Sequence, residues 1–242
     1  MRRACLLLID CALWIGLLYT SALVVLNTLP YFSDAGPFQF LVEKGRLAGW
    51  LAWRAAFFAH ISGALVCLLV GPLMFSRLVI KRARSVHRIA GRVYVMAVLG
   101  WAAPAGLFLS VYAKGGLPGQ TGFIVLGLCW VGTTLQGYRT ARARQFKQHA
   151  RWMAYSYALA TSALSFRVAQ IALVYSGMES HSAYVLAIWL SLFASILLGA
   201  WWSRAARRAP ASAAPSPTIR SVPRPVRRVP VTQRVLQLTP QP

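Results

Sequence analysis

Six apolar runs, at roughly 4–29, 52–76, 93–113, 121–138, 152–175 and 182–202, dominate the chain. Each approaches or exceeds the roughly 20 helical residues needed to cross the ~30 Å hydrocarbon core of a bilayer. Lipid offers no partner to a backbone N–H or C=O, so runs of this length separated by short polar connections are expected to fold as helices. The expected fold class is all-α: a six-helix transmembrane bundle over residues 1–202, followed by a disordered basic C-terminal tail over 203–242. Composition points the same way. At 57% hydrophobic residues and a mean hydropathy of +0.55, a chain of 242 residues is too apolar for an ordinary soluble domain.

Charge sets the expected orientation. Twenty-six Lys and Arg face four Asp and Glu, for a formal charge of +22. In a soluble protein that excess would suggest nucleic acid. Here most of it flanks apolar runs, so nucleic acid is not an expected partner. If all six runs cross, Arg2 and Arg3, the basic residues from Arg77 to Arg92, those from Arg139 to Arg151 and the eight arginines beyond Trp202 fall on one side. Lys44, Arg46, Arg54 and Lys114 fall on the other. The positive-inside rule then puts both termini in the cytoplasm of a multi-pass plasma membrane protein. The expected partners are the lipid bilayer and anionic lipids at its cytoplasmic face; no protein partner is legible.

The apolar N-terminal stretch runs on to Leu29, longer than a signal-peptide core, and Thr20-Ser21-Ala22 is a poor cleavage site, so it reads as a retained first span. The connection 30–51, broken by Pro30, Gly36, Pro37 and Gly45, is expected to lie on the bilayer surface. Gly115-Gly116-Leu117-Pro118-Gly119 reads as a tight turn and not as a phosphate cradle, since no Lys-Ser/Thr follows. Pro72 and Pro104 mark places where spans could kink. Beyond Trp202, eight Arg and eight Pro without a single acid give the tail its disordered character. Cys5, Cys11, Cys67 and Cys129 lie in apolar runs without metal-ligand spacing and read as small buried hydrophobes.

Ionisable groups within apolar runs are expensive and carry the functional signal. Counting helical rise sorts them into two layers. The inner layer holds Asp10, His87, Arg88, Gln136, Tyr138 and His149; the outer holds His60, Arg167 and Gln170. On one uninterrupted fifth span, His149 and Arg167 are five full turns, about 27 Å, apart on a single face. Two imidazoles at matching depth on different helices are suited to hold a haem iron axially, with arginines for the propionates. Haem b with His87 and His149 as axial ligands is one expectation, and helix-end or headgroup contacts are the plain alternative. Arg167, alone within a span, needs an acceptor, water or an anionic ligand. The candidate ligand-binding residues are His60, His87, Arg88, Arg92, His149, Arg151 and Arg167. There is no nucleophile elbow, phosphate loop, His-Glu-x-x-His or carboxylate pair, so no catalytic residue is expected.

From about His60 to Arg167 the chain resembles a family of predicted bacterial membrane proteins known as domain of unknown function 2306. The resemblance rests on His60 followed by Gly63 and Gly71-Pro72, on His87-Arg88-x-x-Gly91-Arg92-x-Tyr94 and on Gly115-Gly116 then Gly122-Phe123. It continues in Trp130 with Thr133-Thr134 and in His149-x-Arg151-Trp152-Met153 with Ser156-Tyr157 and Arg167. It departs at Ala150 and Tyr155, where that pattern often has arginine. The resemblance implies a multi-span protein of the bacterial inner membrane and brings no activity or cofactor with it. Three functions stay open: a binding module for an anionic or redox-active ligand in a His/Arg cavity, a haem-bearing electron carrier, and a structural or assembly partner.

Overall fold

A computed structural model describes residues 2–33 and 39–208. Among these every regular element is helical. α1 (Arg2–Thr28) ends in a single 3-10 turn, Leu29–Phe32. The short helices α2 (Gln39–Lys44) and α3 (Arg46–Gly49) follow, then the long α4 (Leu51–Phe75) and the brief α5 (Arg77–Arg82). α6 (Arg84–Met96) passes through a π turn, Ala97–Ala102, into α7 (Ala103–Ser110). α8 (Gly116–Arg142), α9 (Phe146–Ala160), α10 (Ser162–Tyr175) and α11 (Ser180–Arg208) complete the chain.

The six apolar runs thus correspond to six helical stretches, but not all qualify equally as spans. Trp14–Phe32, Leu51–Phe75, Arg84–Ser110 and Ser180–Arg204 are long and apolar enough to cross a membrane. α9 and α10 make a fifth if taken together. α8 is equally long but diluted by Gly116, Gly119, Gly122, Gly127, Gly132 and Gly137 and by Gln120, Thr133, Thr134 and Gln136. Of the expected tail, Ser203–Arg208 continue α11 as helix, and 209–242 lie outside the described residues.

Small residues bring the helices together. α8 packs along α9 and α7, α11 along α9 and α10, and α4 against α6, the π turn and α7. Gly71 lies directly under the Tyr157 ring, Gly137 under Met153, Gly122 under Ile188 and Gly199 under Tyr155, so a Cβ at any of them would collide with the neighbour. Lipid supplies no hydrophobic drive between helices, so close backbone approach of this kind is what holds them. Tyr94, Ala97, Val98, Cys67 and Tyr157 form the buried centre. Of the other thiols, Cys129 is half-buried and Cys11 is exposed, unlike the buried hydrophobe expected there.

Two local breaks decide where side chains end up. The third stretch is interrupted at the π turn just before Pro104, which occupies the first turn of α7 where its missing N–H costs no bond. The fifth breaks at Thr161, whose ψ of 0° tightens the next turn into a Leu164 N–H to Thr161 carbonyl bond of 2.9 Å. α9 and α10 consequently bend by 41°. The expected single face joining His149 and Arg167 does not exist, because five turns of register require an unbroken helix. The turn expected over residues 115–119 is confined to its start, where Gly115 and Gly116 have φ of 92° and 60°, values that favour glycine, and Leu117, Pro118 and Gly119 already form the first turn of α8.

The connectivity gathers the basic segments 77–92 and 139–151 at one end of the helices, with His87 beside His149. At the other end, Lys44 of α2 donates from Nζ to the Tyr112 carbonyl at 2.8 Å, and Lys114 forms a salt bridge with Glu43. The segment α2–α3 is therefore tied to the turn that follows α7.

Candidate functional site

Between the helices, in the half remote from the basic end, lies a cavity of about 850 Å³. Its mouth carries Glu43 and Lys44 from α2, Lys114, and Glu179 and His181 at the start of α11. Its middle carries His60 from α4 and Ser162, Arg167 and Gln170 from α10, and its floor is Leu68, Leu126, Trp130 and Leu159. His60 is nine residues from the start of α4 and Arg167 eight from the end of α10, depths of about 14 and 12 Å by helical rise. The volume is in the range of small-molecule sites. A polar mouth above an apolar floor suits an amphipathic guest.

Each polar group in the cavity has a definable state. His60 Nδ1 lies 2.8 Å from the Ala102 carbonyl. A carbonyl only accepts, so Nδ1 carries the proton and, in the neutral ring, Nε2 is left as an acceptor. Among the described residues Nε2 has no partner. Gly106 makes this placement feasible, since a Cβ there would come 2.7 Å from His60 Nδ1. Arg167 donates from Nη1 to the Ala163 carbonyl of its own helix at 3.0 Å and is otherwise exposed, with no carboxylate partner among the described residues. Burial, then the adjacent Lys114 charge, hold the Lys44 ammonium below its ordinary pKa, and Glu43 acts in the opposite direction. Glu179 accepts from the His181 and Ser182 N–H groups at 2.8 Å each, which caps α11 and draws its carboxyl below the usual range.

Directly beneath the cavity the polar groups are in a different state. Thr134 Oγ1 donates to the Trp130 carbonyl at 2.7 Å, so towards Ser156 Oγ, 2.6 Å away, it only accepts. Ser156, its one proton thus committed, accepts from Tyr94 OH at 2.9 Å, and Tyr94 accepts from Trp130 Nε1 at 3.4 Å. The circuit begins and ends at Trp130. It closes α6, α8 and α9 on one another with every proton used.

At the basic end, the His87 and His149 ring centres are 6.4 Å apart with planes at 88°. His149 Nδ1 donates to the Gly137 carbonyl at 2.8 Å, while His87 Nδ1 is buried without a close hydrogen-bond partner among the described residues, its ring lying near the Met74 backbone. Arg88, Arg92 and Arg151 are all exposed. The seven candidate residues therefore fall in two places: His60 and Arg167 line the cavity, and His87 meets His149 at the opposite end, alongside the three arginines. The side chain of Asp10 lies outside the described residues.

Lys44, Lys114, His181 and Gly106 belong to the cavity and were not marked as site residues by the sequence. A signal existed for the two lysines, which stand on the side where the charge asymmetry leaves few bases. None existed for Gly106, whose part depends on the ring opposite.

Helices long and apolar enough to span, packed through small residues around a cavity with a polar mouth and an apolar floor, define a multi-span integral membrane protein. The chain belongs to the family described as predicted membrane protein, domain of unknown function 2306, whose model matches residues 57–203. The match begins within α4, three residues before His60, and takes in every later helix nearly to the end of α11. No curated protein and no solved structure matches the chain.

Proposed function

We propose that this protein is a membrane-embedded binding module that holds an anionic amphiphile in the cavity between His60 and Arg167. The observation that carries the reading is Arg167: a guanidinium at mid-cavity depth, lacking a carboxylate partner among the described residues, above a floor of Leu68, Leu126 and Trp130. Charged groups within spans mark ligand sites because they are costly when left unanswered. An anion at that level would satisfy Arg167 and gain from Lys44 and Lys114, while its apolar part displaces water from the floor. In the same reading all six helical stretches cross a bacterial inner membrane with both termini cytoplasmic, so the cavity opens towards the periplasmic leaflet, and the basic segments contact anionic lipid at the cytoplasmic face. The test is native mass spectrometry of protein extracted in mild detergent. A co-purifying anionic amphiphile, reduced tenfold or more in Arg167→Gln at unchanged thermal stability, is the expected result; identical spectra for the two proteins would overturn it.

A second reading rests on the histidines of the basic end. Imidazole nitrogens bond a metal at about 2 Å, so two rings on opposite sides of one iron must stand close to the 6.4 Å separation found. The Nδ1–H bond of His149 to Gly137 O is the orienting contact that ligating imidazoles usually have. Haem b held by His87 and His149 would make the protein an electron carrier. A reduced-minus-oxidised spectrum of protein from haem-replete cells tests this: sharpened visible bands, lost in His87→Ala and in His149→Ala, are required.

A further inference from the structure

We infer that the cavity selects a lipid whose anionic head carries a free hydroxyl beside the charge, with the anion at Arg167 and the hydroxyl donating to His60 Nε2. This rests on the cavity reading above and narrows it to a chemical class.

The argument begins at Ala102. Its carbonyl fixes the proton of His60 on Nδ1, and Gly106 leaves just enough room for the ring to hold that position. Nε2 is then the ring nitrogen left with a lone pair, and His60 and Arg167 both line the cavity at similar depths along their helices. A site that presents one cation and one neutral acceptor at the same level matches a head with an anionic oxygen and a neighbouring donor. A bare phosphate monoester meets the cation, but beside Arg167, Lys44 and Lys114 it is held as the dianion, which has no O–H left to donate to the acceptor. An ammonium head supplies a donor but needs an acid. The two carboxylates of the cavity are both engaged, Glu43 with Lys114 and Glu179 with the α11 N–H groups, and Lys44 and Lys114 repel a cation. A hydroxylated anionic head satisfies both groups without bringing a cation against Lys44 and Lys114. An acceptor that a bound guest cuts off from water discriminates strongly between ligands with and without the matching donor. The apolar floor of Leu126, Trp130 and Leu159 favours a lipid over a free headgroup.

The experiment uses the full chain in nanodiscs of phosphatidylcholine doped, in separate preparations, with equal fractions of phosphatidylglycerol, phosphatidic acid or phosphatidylethanolamine. Retained lipid is read by native mass spectrometry after detergent exchange. Phosphatidylglycerol is expected to be retained at least fivefold over the other two. In His60→Phe that preference should collapse to the phosphatidic acid level while phosphatidic acid itself is unchanged. Gly106→Ala, which displaces the ring without removing it, should give the same collapse and stands in if His60→Phe does not fold. Equal retention of phosphatidylglycerol and phosphatidic acid in the unaltered protein, or a preference indifferent to both variants, would overturn the inference while leaving an anion site intact. Displacement of the lipid by soluble glycerol phosphate at comparable concentration would also overturn it, by making the ligand a free headgroup. Retention of none of the anionic lipids would remove the cavity reading itself.

Discussion

Two polar regions share Trp130 and differ in how completely they are satisfied. Below that side chain, Tyr94, Ser156 and Thr134 form a circuit in which each donor has one acceptor. Above it, Arg167 and His60 line open volume. Hydroxyls at the meeting of three helices, with nothing left to offer, act as a clamp. Groups with unanswered capacity at the wall of a cavity act as a receptor. Histidine and arginine attract attention in a sequence, and serine and threonine do not, yet here the latter hold the helices in register so that the former face one space.

Breaking the packing beside the clamp should have the largest effect. Gly71→Ala drives a methyl into the Tyr157 ring, which is buried and has no free direction in which to retreat. A loss of about 2–3 kcal/mol, seen as a lower melting temperature in detergent, is expected for overpacking of this kind. Ser156→Ala should cost less, about 1–2 kcal/mol, by stranding the buried Tyr94 hydroxyl without an acceptor. Trp130→Phe sharpens the comparison, since it removes only the long 3.4 Å donor and strands no proton. Its thermal shift should be less than half that of Ser156→Ala, with ligand retention altered because the floor changes shape. If Trp130→Phe were the more damaging of the two, the circuit would not be the clamp.

The smallest effect concerns Glu179. Its carboxyl is held below the ordinary pKa by the two N–H groups it caps, so the charged form is favoured in the folded state. The resulting stability is fully present above the unfolded value of about 4.3 and is lost as pH falls through the lower folded value. Melting temperature should therefore decline between roughly pH 5 and 3, and Glu179→Gln should flatten part of that decline while leaving stability near neutrality only slightly reduced. An unaltered pH profile in Glu179→Gln would show that the cap contributes nothing. The carboxyl is fully exposed, so the shift is expected to be a degree or two.

Much of the fold was legible because hydrophobic length and backbone satisfaction leave few options: every apolar run became helix, though the helices extend into the polar flanks, by nine residues at Arg84 and by six at Phe146 and Arg208. Its segmentation was less legible. The break at Thr161 carries no proline or glycine and arises from local hydrogen bonding, so periodicity carried the helix straight through it. The depth count correctly put His60 with Arg167 and His87 with His149, because rise along a helix is fixed at 1.5 Å per residue. What it could not supply was the neighbour across the gap.

The sequence by itself determined the class of molecule, the helical stretches, the family and the layers that hold His60 with Arg167 and His87 with His149, since these follow from composition and from the one-dimensional geometry of a helix. Only the tertiary structure decided that His60 and Arg167 share a cavity with Lys44, Lys114 and His181 while His87 and His149 meet elsewhere. It also showed that Thr134 and Ser156 close a circuit with Tyr94 and Trp130. Which faces meet depends on bends at Thr161 and the π turn and on where glycine admits a neighbour's ring, and those are contacts between residues far apart in the chain.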